Sequence, residues 1–600
     1  MGVRLVAGAY VVKHEETVDQ LERVDGGKER VKAPGRRSNE RARIGACFGC
    51  SKRQDLKHAE DLKSDREVPS IQVSILASVG QIRPADAQGF RVLRCLCFFP
   101  VVFLLPRRGL YDLRVRVPSP QFRGTINTDA LSCSAGTALF SDGYANGVIG
   151  QVNSLLKRIY GTEISTNYTR TLSSTLFAGT IVGMLVFGYL SDKIGRKFGM
   201  TLATAIVALF SALCAASSGA HHSVGGLISM LSAMRFFVGI GVGAEYPCGS
   251  VAASEQSEEE GISKRAQNRW FALATNSMID FGFVISSFTP LVLFWIFGEN
   301  HLRAVWRLSL GLGFFPAVAV FIWRLSMEEP TRFKKDSMKN AKVPYVLIIK
   351  RYWRSLLAIS FTWFLYDFIT YPFSIYSSTI VNTITNNSAA ISVVFGWNTV
   401  INLFYMPGTL GGALVVDYLG PKHTMITGLL LQAIIGFIMS GLYDKLVEHI
   451  AAFAVIYGIF LTFGEVGPGN CLGLLAAKTG PTAVRGQFYG IAAAIGKVGA
   501  FAGTWAFPAI IDDFGTKGNS GITGPFWIGS GLAILSACVT FLFIKPLTTD
   551  GMAREDAEFR QYLEDHGYDT SQMGLADQAS QWSRDSLPEK EPEVDEKVVV

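Results

Sequence analysis

Asp142, Arg235, Glu245, Asp367 and Lys497 each lie inside a long apolar stretch of the chain. A charge at the centre of a membrane helix costs at least ~2.5 to 3.5 kcal/mol on insertion scales, so such a residue faces a water-filled path or a partner. Buried carboxyls can take up and release protons, and a buried ammonium can hold an anion. None of the eight histidines lies in the interior of these stretches, so imidazole is not the proton carrier. The chemistry these residue types allow is proton-linked binding of an anion within a bilayer.

The elements that must position them dominate the chain. Its 600 residues are 49% hydrophobic, with 41 Phe and 61 Gly, and a mean hydropathy of +0.27 excludes a soluble enzyme of this length. Windows of about twenty apolar residues, enough to cross a hydrocarbon core, predict an all-α membrane protein. The expected spans are 130–152, 171–190, 198–218, 225–253, 268–296, 304–325, 355–381, 391–418, 423–442, 450–476, 484–511 and 524–545.

Net charge is +7, but its placement matters more than its size. Lys193, Arg196 and Lys197 follow the second span, Lys264, Arg265 and Arg269 the fourth, and a run from Arg332 to Arg354 the sixth. This places those loops and both termini on the cytoplasmic side. The sequons Asn167-Tyr168-Thr169 and Asn386-Asn387-Ser388 fall on the other side. Cysteines are scattered, which argues against a disulfide framework, and packing accounts for Cys133, Cys214, Cys248 and Cys538. Cys47-Phe48-Gly49-Cys50 has no second Cys or His pair to complete a zinc site, so no metal is expected.

Residues 1–125 are charged and irregular, and their apolar run from Val92 to Leu105 is short for a span. They are expected to form a disordered extension. Residues 126–325 and 355–545 form two halves joined by a central loop, 326–354, and 546–600 a solvated tail with a short helix from Met552 to Asp565.

The two halves repeat one another. Asp192-Lys193-Ile194-Gly195-Arg196-Lys197 returns as Asp417-Tyr418-Leu419-Gly420-Pro421-Lys422, and the same offset carries Asp142 onto Asp367. Gly243-Ala244-Glu245-Tyr246-Pro247 corresponds loosely to Gly464-Glu465-Val466-Gly467-Pro468. Paired halves with a site between them are a transporter architecture.

Gly188-x-x-x-Asp192-x-x-Gly195-Arg196-Lys197 resembles the loop motif of the major facilitator superfamily. Gly188 would let two helices approach. Asp192 would pair with a basic side chain or a helix N-terminus of the other half, and Arg196 and Lys197 would hold the gate and touch anionic lipid. Glu329-Pro330-Thr331-Arg332 resembles a gate element of sugar and phosphate porters. In the fourth span, Gly239, Gly241 and Gly243 clear one helix side between Arg235 and Glu245, and Pro247 loosens the backbone.

Trp363-x-x-x-Asp367, Gly496-Lys497-x-Gly499-Ala500 and Glu245-Tyr246-Pro247 resemble site elements of proton-coupled phosphate symporters. Phe140-Ser141-Asp142-Gly143-Tyr144-Ala145-Asn146-Gly147, with Glu245-Tyr246-Pro247-Cys248-Gly249-Ser250, is more similar to the fungal glycerophosphoinositol and glycerophosphodiester permeases. The resemblance covers about residues 130–570. It implies that Lys497, Tyr246, Trp363, Asp280 and Asn146 bind substrate, and that Asp367, Asp142, Glu245 and Arg235 couple protons. Three departures from phosphate symporters (Glu245 for Asp, Ala145 for a second Asp, Asp280 for Gln) point away from inorganic phosphate and toward a ligand that carries hydroxyls.

Bland readings stand beside these. Asp280 could be satisfied by Asn276 one turn earlier, Trp363 and Tyr371 could be interfacial aromatics, Lys497 could be a structural partner of a carboxylate, and Glu465 could shape the tenth helix. The expectation is a monomeric plasma-membrane importer of a small anionic phosphodiester with protons. It is expected to need no cofactor, catalytic residue or nucleic acid. An inorganic phosphate symporter and a non-transporting nutrient sensor are the alternatives.

Overall fold

Glycine patterns decide how closely the helices of this chain pack, and the computed structural model shows where. It describes residues 120–258, 266–385, 390–516, 521–547, 551–571 and 573–574. The Cys47 to Cys50 spacing, the Val92 to Leu105 run, Lys264, Arg265, the Asn386 sequon and the acidic C-terminal end lie outside them.

Ten described stretches are long and apolar enough to cross a membrane. We number the helices α1 (Pro120–Tyr160), α2 (Thr166–Lys193), α3 (Arg196–Ala216), α4 (Val224–Ser257), α5 (Gln267–Phe297), α6 (Glu299–Arg324) and α7 (Tyr345–Ile384). The stretch Ile391–Gly441 is two helices, α8 and α9, parted where Gly420 takes φ 75°. Then come α10 (Ile450–Thr479), α11 (Thr482–Gly515) and α12 (Thr523–Phe543). Every expected span falls on one of these helices, and no strand occurs among the described residues.

Within the first half α2 lies on α4, and across the halves α2 lies on α11 and α1 on α7. A Cβ at Gly239 would sit 2.1 Å from the Leu176 carbonyl oxygen, and one at Gly243 2.2 Å from that of Thr180. The glycines of the fourth span therefore let α2 and α4 touch backbone to backbone. Outward faces stay apolar, as at Val186, Leu209, Trp295 and Phe541, where lipid is the solvent.

Both α4 and α10 widen into a π-turn, at Tyr246–Ser250 and Glu465–Gly469. Each turn contains a proline, Pro247 or Pro468, which lacks the N–H a regular turn would donate. The same distortion at matching places in the two halves is the loose sequence correspondence made physical.

The tail helix α13 (Gly551–Asp565) is docked rather than solvated. Met552, Phe559 and Leu563 are buried on one face, and that amphipathic spacing brings it against the bundle. Its Asp556 accepts from the Thr482 backbone N–H at 2.6 Å, and its Glu555 from the Tyr352 hydroxyl at 2.5 Å. Cys538 is exposed on α12, so packing does not explain it, whereas Cys214, Cys248 and Cys471 are buried.

Candidate functional site

Lys497 of α11 reaches the seam between the halves. Its Nζ lies 3.1 Å from Asp367 Oδ2 of α7 and donates to the hydroxyl of Tyr371, one turn further on. Lys497 and Asp367 are each 1% exposed, so the pair is removed from water and lipid alike. The ammonium also stands 5.1 Å from the centre of the Tyr246 ring, which comes from the first half. Tyr246 in turn donates to Asp142 Oδ2 at 2.5 Å, and Asn146 donates to Asp142 Oδ1 at 2.6 Å. A continuous polar chain thus runs from Asn146 and Asp142 through Tyr246 to Lys497 and Asp367.

Neighbouring residues at the start of the π-turn in α4 face different ways. Tyr246 points to the seam, while Glu245 turns back to ion-pair with Arg324 of α6, which also bonds the Met200 carbonyl. Trp363 and Tyr371 are walls of the site, not interfacial anchors, since both are buried. Gly496 makes room for Trp363, because a Cβ there would meet its Cδ1 at 2.6 Å.

Asp280 of α5 and Glu465 of α10 form a second polar centre. The Asn276 amide donates to Asp280 Oδ2 at 3.1 Å and to Glu465 Oε2 at 3.0 Å, and the Tyr366 hydroxyl donates to Glu465 Oε1 at 2.7 Å. The predicted Asn276 contact exists, but it does not take Asp280 out of the site. Tyr246, Asp280, Trp363, Asp367, Glu465 and Lys497 all line one cavity of about 60 Å³, room for a few waters. A solute larger than a few waters enters this space only when the halves part.

Four expected residues stand outside the cavity, Glu245 on Arg324 and Asp142 bonded to Tyr246 among them. Asn146 holds Asp142 and does not line the cavity. Arg235 pairs with no acid among the described residues: it donates to the carbonyls of Leu172 and Ala145 at 3.0 and 3.2 Å, leaving Nη2 unpartnered. Arg235 and Glu245 are not a pair. Sequence reasoning missed Tyr366 and Arg324. Tyr366 carries no charge to mark it, and Arg324 ends a span, where a basic residue is ordinary.

The family model described as Major Facilitator Superfamily matches residues 135–504. The chain belongs to the major facilitator superfamily. Glycerophosphocholine permease GIT4 of Candida albicans is 46% identical over 75% of this chain and 85% of its own length. The major glycerophosphoinositol permease GIT3 of the same organism is 45% identical over 76% of this chain and 85% of its own length. The fold is also that of the proton:xylose symporter XylE, at a TM-score of 0.60 and 15% identity over 72% of this chain and 99% of that one. The protein is a membrane transport protein of this superfamily and not an enzyme.

The superfamily loop motif closes one end of the bundle. Asp192 accepts backbone N–H groups of Gly486 and Gln487 at 3.0 and 2.8 Å, at the N-terminal end of α11 in the other half, where the helix dipole favours an anion. Asp417, its repeat, accepts the Arg269 N–H at 3.1 Å near the start of α5. Gly188 lets this happen, since a Cβ there would be 3.0 Å from the Gly486 carbonyl oxygen. Gly195, at φ 144°, leaves space for Glu329, whose carboxylate accepts the N–H groups of Arg196 and Lys197 at 3.0 and 3.1 Å.

One expectation is corrected here. Arg196 is fully buried and cannot touch lipid; it bonds Asp192 at 2.6 Å and Glu255 at 3.1 Å. Glu255 also takes Arg485 of the other half at 3.2 Å, and Glu258 takes Lys478 at 2.9 Å. At the opposite end a vestibule of about 500 Å³, lined by Asn153, Lys157, Tyr376, Thr383 and Asp512 among others, lies open. The molecule is closed at the loop-motif end and open at the other.

Proposed function

We propose that this chain imports glycerophosphodiesters together with protons. The observation that carries the reading is the buried Lys497 ammonium, held by Asp367 and Tyr371 at the seam of the two halves. A phosphodiester anion binds where that ammonium can turn from a carboxylate to a phosphate oxygen. Three carboxyls, Asp280, Asp367 and Glu465, line the same cavity, so an anion meets repulsion until at least one of them takes up a proton. Protonation and substrate binding therefore favour each other, which is coupling. Asp367 is the first acid of the mechanism, because its carboxylate and the substrate compete for the same ammonium, so that a proton on Asp367 frees Lys497 for the anion; Asp142 is linked to it through Tyr246.

Substrate enters by the vestibule while the loop-motif end is shut, and leaves when the ion pairs there open. With the loop motif and both termini in the cytoplasm of a plasma-membrane monomer, an inward potential adds ~2.3 kcal/mol per charge per 100 mV to uptake. The permeases GIT4 and GIT3 support glycerophosphodiesters as the substrate class.

The test is uptake of labelled glycerophosphoinositol, glycerophosphocholine and inorganic phosphate into cells stripped of their own carriers. Accumulation of a glycerophosphodiester with a matching alkalinisation of the medium is the expected result. Uptake of inorganic phosphate alone, or binding without accumulation, overturns it.

A further inference from the structure

Asp280 and Glu465 are buried, at 2% and 3% exposed, and they come from opposite halves to one amide, Asn276 Nδ2. Among the described residues neither pairs with a Lys or Arg. Two carboxyls sharing one donor hold at least one proton between them. With one proton shared, the pair carries a negative charge that no Lys or Arg side chain contacts among the described residues, an arrangement that costs several kcal/mol unless something else supplies the positive charge.

The surroundings of the pair suit a cation. Tyr366 bonds Glu465 directly, Phe283 lies one turn along α5 from Asp280, and Trp363 lines the same cavity. Aromatic faces attract ammonium groups, quaternary ones included. A second observation points to a ligand in this space. Thr370 lines the cavity at 7% exposed, and its hydroxyl has no partner.

Charge arithmetic agrees. Three carboxyls against one ammonium, with one proton shared between Asp280 and Glu465, make the lining −1. A phosphodiester with a neutral head group would add a further negative charge, whereas one whose head group carries a quaternary ammonium adds none.

We propose that Asp280 and Glu465 form a subsite for a cationic head group, in the same cavity as the phosphate-holding Lys497, so that this transporter prefers a zwitterionic glycerophosphodiester such as glycerophosphocholine. This rests on the glycerophosphodiester reading above and adds residues that choose among its members. GIT4 and GIT3, named for choline and inositol compounds, do not decide between the two for this chain.

The experiment is initial uptake of labelled glycerophosphocholine and glycerophosphoinositol by the full chain and by D280N and E465Q, each quantified at the cell surface. The wild type should show a KM for glycerophosphocholine about tenfold below that for glycerophosphoinositol. D280N and E465Q should each raise the ratio of the glycerophosphocholine KM to the glycerophosphoinositol KM about tenfold. Equal loss of both substrates in the variants would overturn the subsite, as would a wild type that prefers the inositol compound. Competition of wild-type uptake by unlabelled glycerophosphoethanolamine over glycerophosphoglycerol tests the same preference without any variant; equal competition overturns it. If the wild type carries neither labelled diester, the proposed function itself fails, a result distinct from carriage without a preference for the cationic head.

Discussion

Asp192 of the first half accepts the backbone N–H of Gln487 of the second at 2.8 Å, and that bond stands at the closed end of the molecule. The carboxylate also binds Arg196, so it anchors a buried network joining Glu255 and Arg485. Breaking a buried charged pair by removing one partner costs ~3 to 5 kcal/mol. D192N should therefore loosen the closed end, lowering uptake while making a cysteine introduced at Gln487 more reactive to a membrane-impermeant thiol reagent in inside-out vesicles. Unchanged labelling would show that the bond does not hold the gate.

Lys497 to Gln keeps a polar side chain of similar reach but removes the cation. Hydrogen bonds to charged groups are worth ~1.5 to 3 kcal/mol, so substrate affinity should fall by about tenfold to a hundredfold. Surface expression should persist, because Asp367 can protonate once the ammonium is gone. Saturable uptake with an unaltered KM would remove this residue from the site.

External acidity should raise uptake. Each proton bound by a carboxyl at the seam removes a negative charge that opposes the incoming anion, so initial rates at fixed membrane potential increase as the outside pH falls. Rates indifferent to outside pH would contradict proton coupling.

Burial pushes the Glu329 carboxyl up from its ordinary value, although the backbone N–H groups of Lys197 and Arg196 and the Arg196 charge oppose the shift. A carboxyl whose folded-state value is raised contributes stability that is fully present below its unfolded-state value and is lost as pH rises through the raised one. Thermal unfolding of the purified protein should show that loss on going from acid to neutral pH, and E329Q should flatten it. An identical pH profile in the variant would assign the dependence to another group.

The tail helix should matter to stability. Asp556 is buried, caps Thr482 through both its N–H and its hydroxyl, and lies 3.5 Å from Arg485. D556A should cost ~3 kcal/mol or more, since it leaves Arg485 with one buried partner fewer. The midpoint of thermal unfolding in detergent reads this directly, and an unshifted midpoint would mean the helix merely rests on the bundle.

Hydrophobic length, the basic loops and the Asp142 to Asp367 offset by themselves determined a two-fold helical membrane bundle with ionisable groups inside it, because lipid admits only helices here and penalises every unpaired charge. Lys497 and Asp367 were legible for that reason, each being a charge at an expensive position, whereas Tyr246 and Trp363 were marked by the resemblance of their motifs to those of phosphate symporters. Which of them meet was decided only by the tertiary structure. Where α4 enters its π-turn Tyr246 faces the seam and Glu245 faces Arg324, and the sequence by itself does not say which neighbouring helix each face meets. The Asn276 and Asp280 pair, Tyr366 and Glu465 lie far apart along the chain and become one cluster only when α5, α7 and α10 pack together.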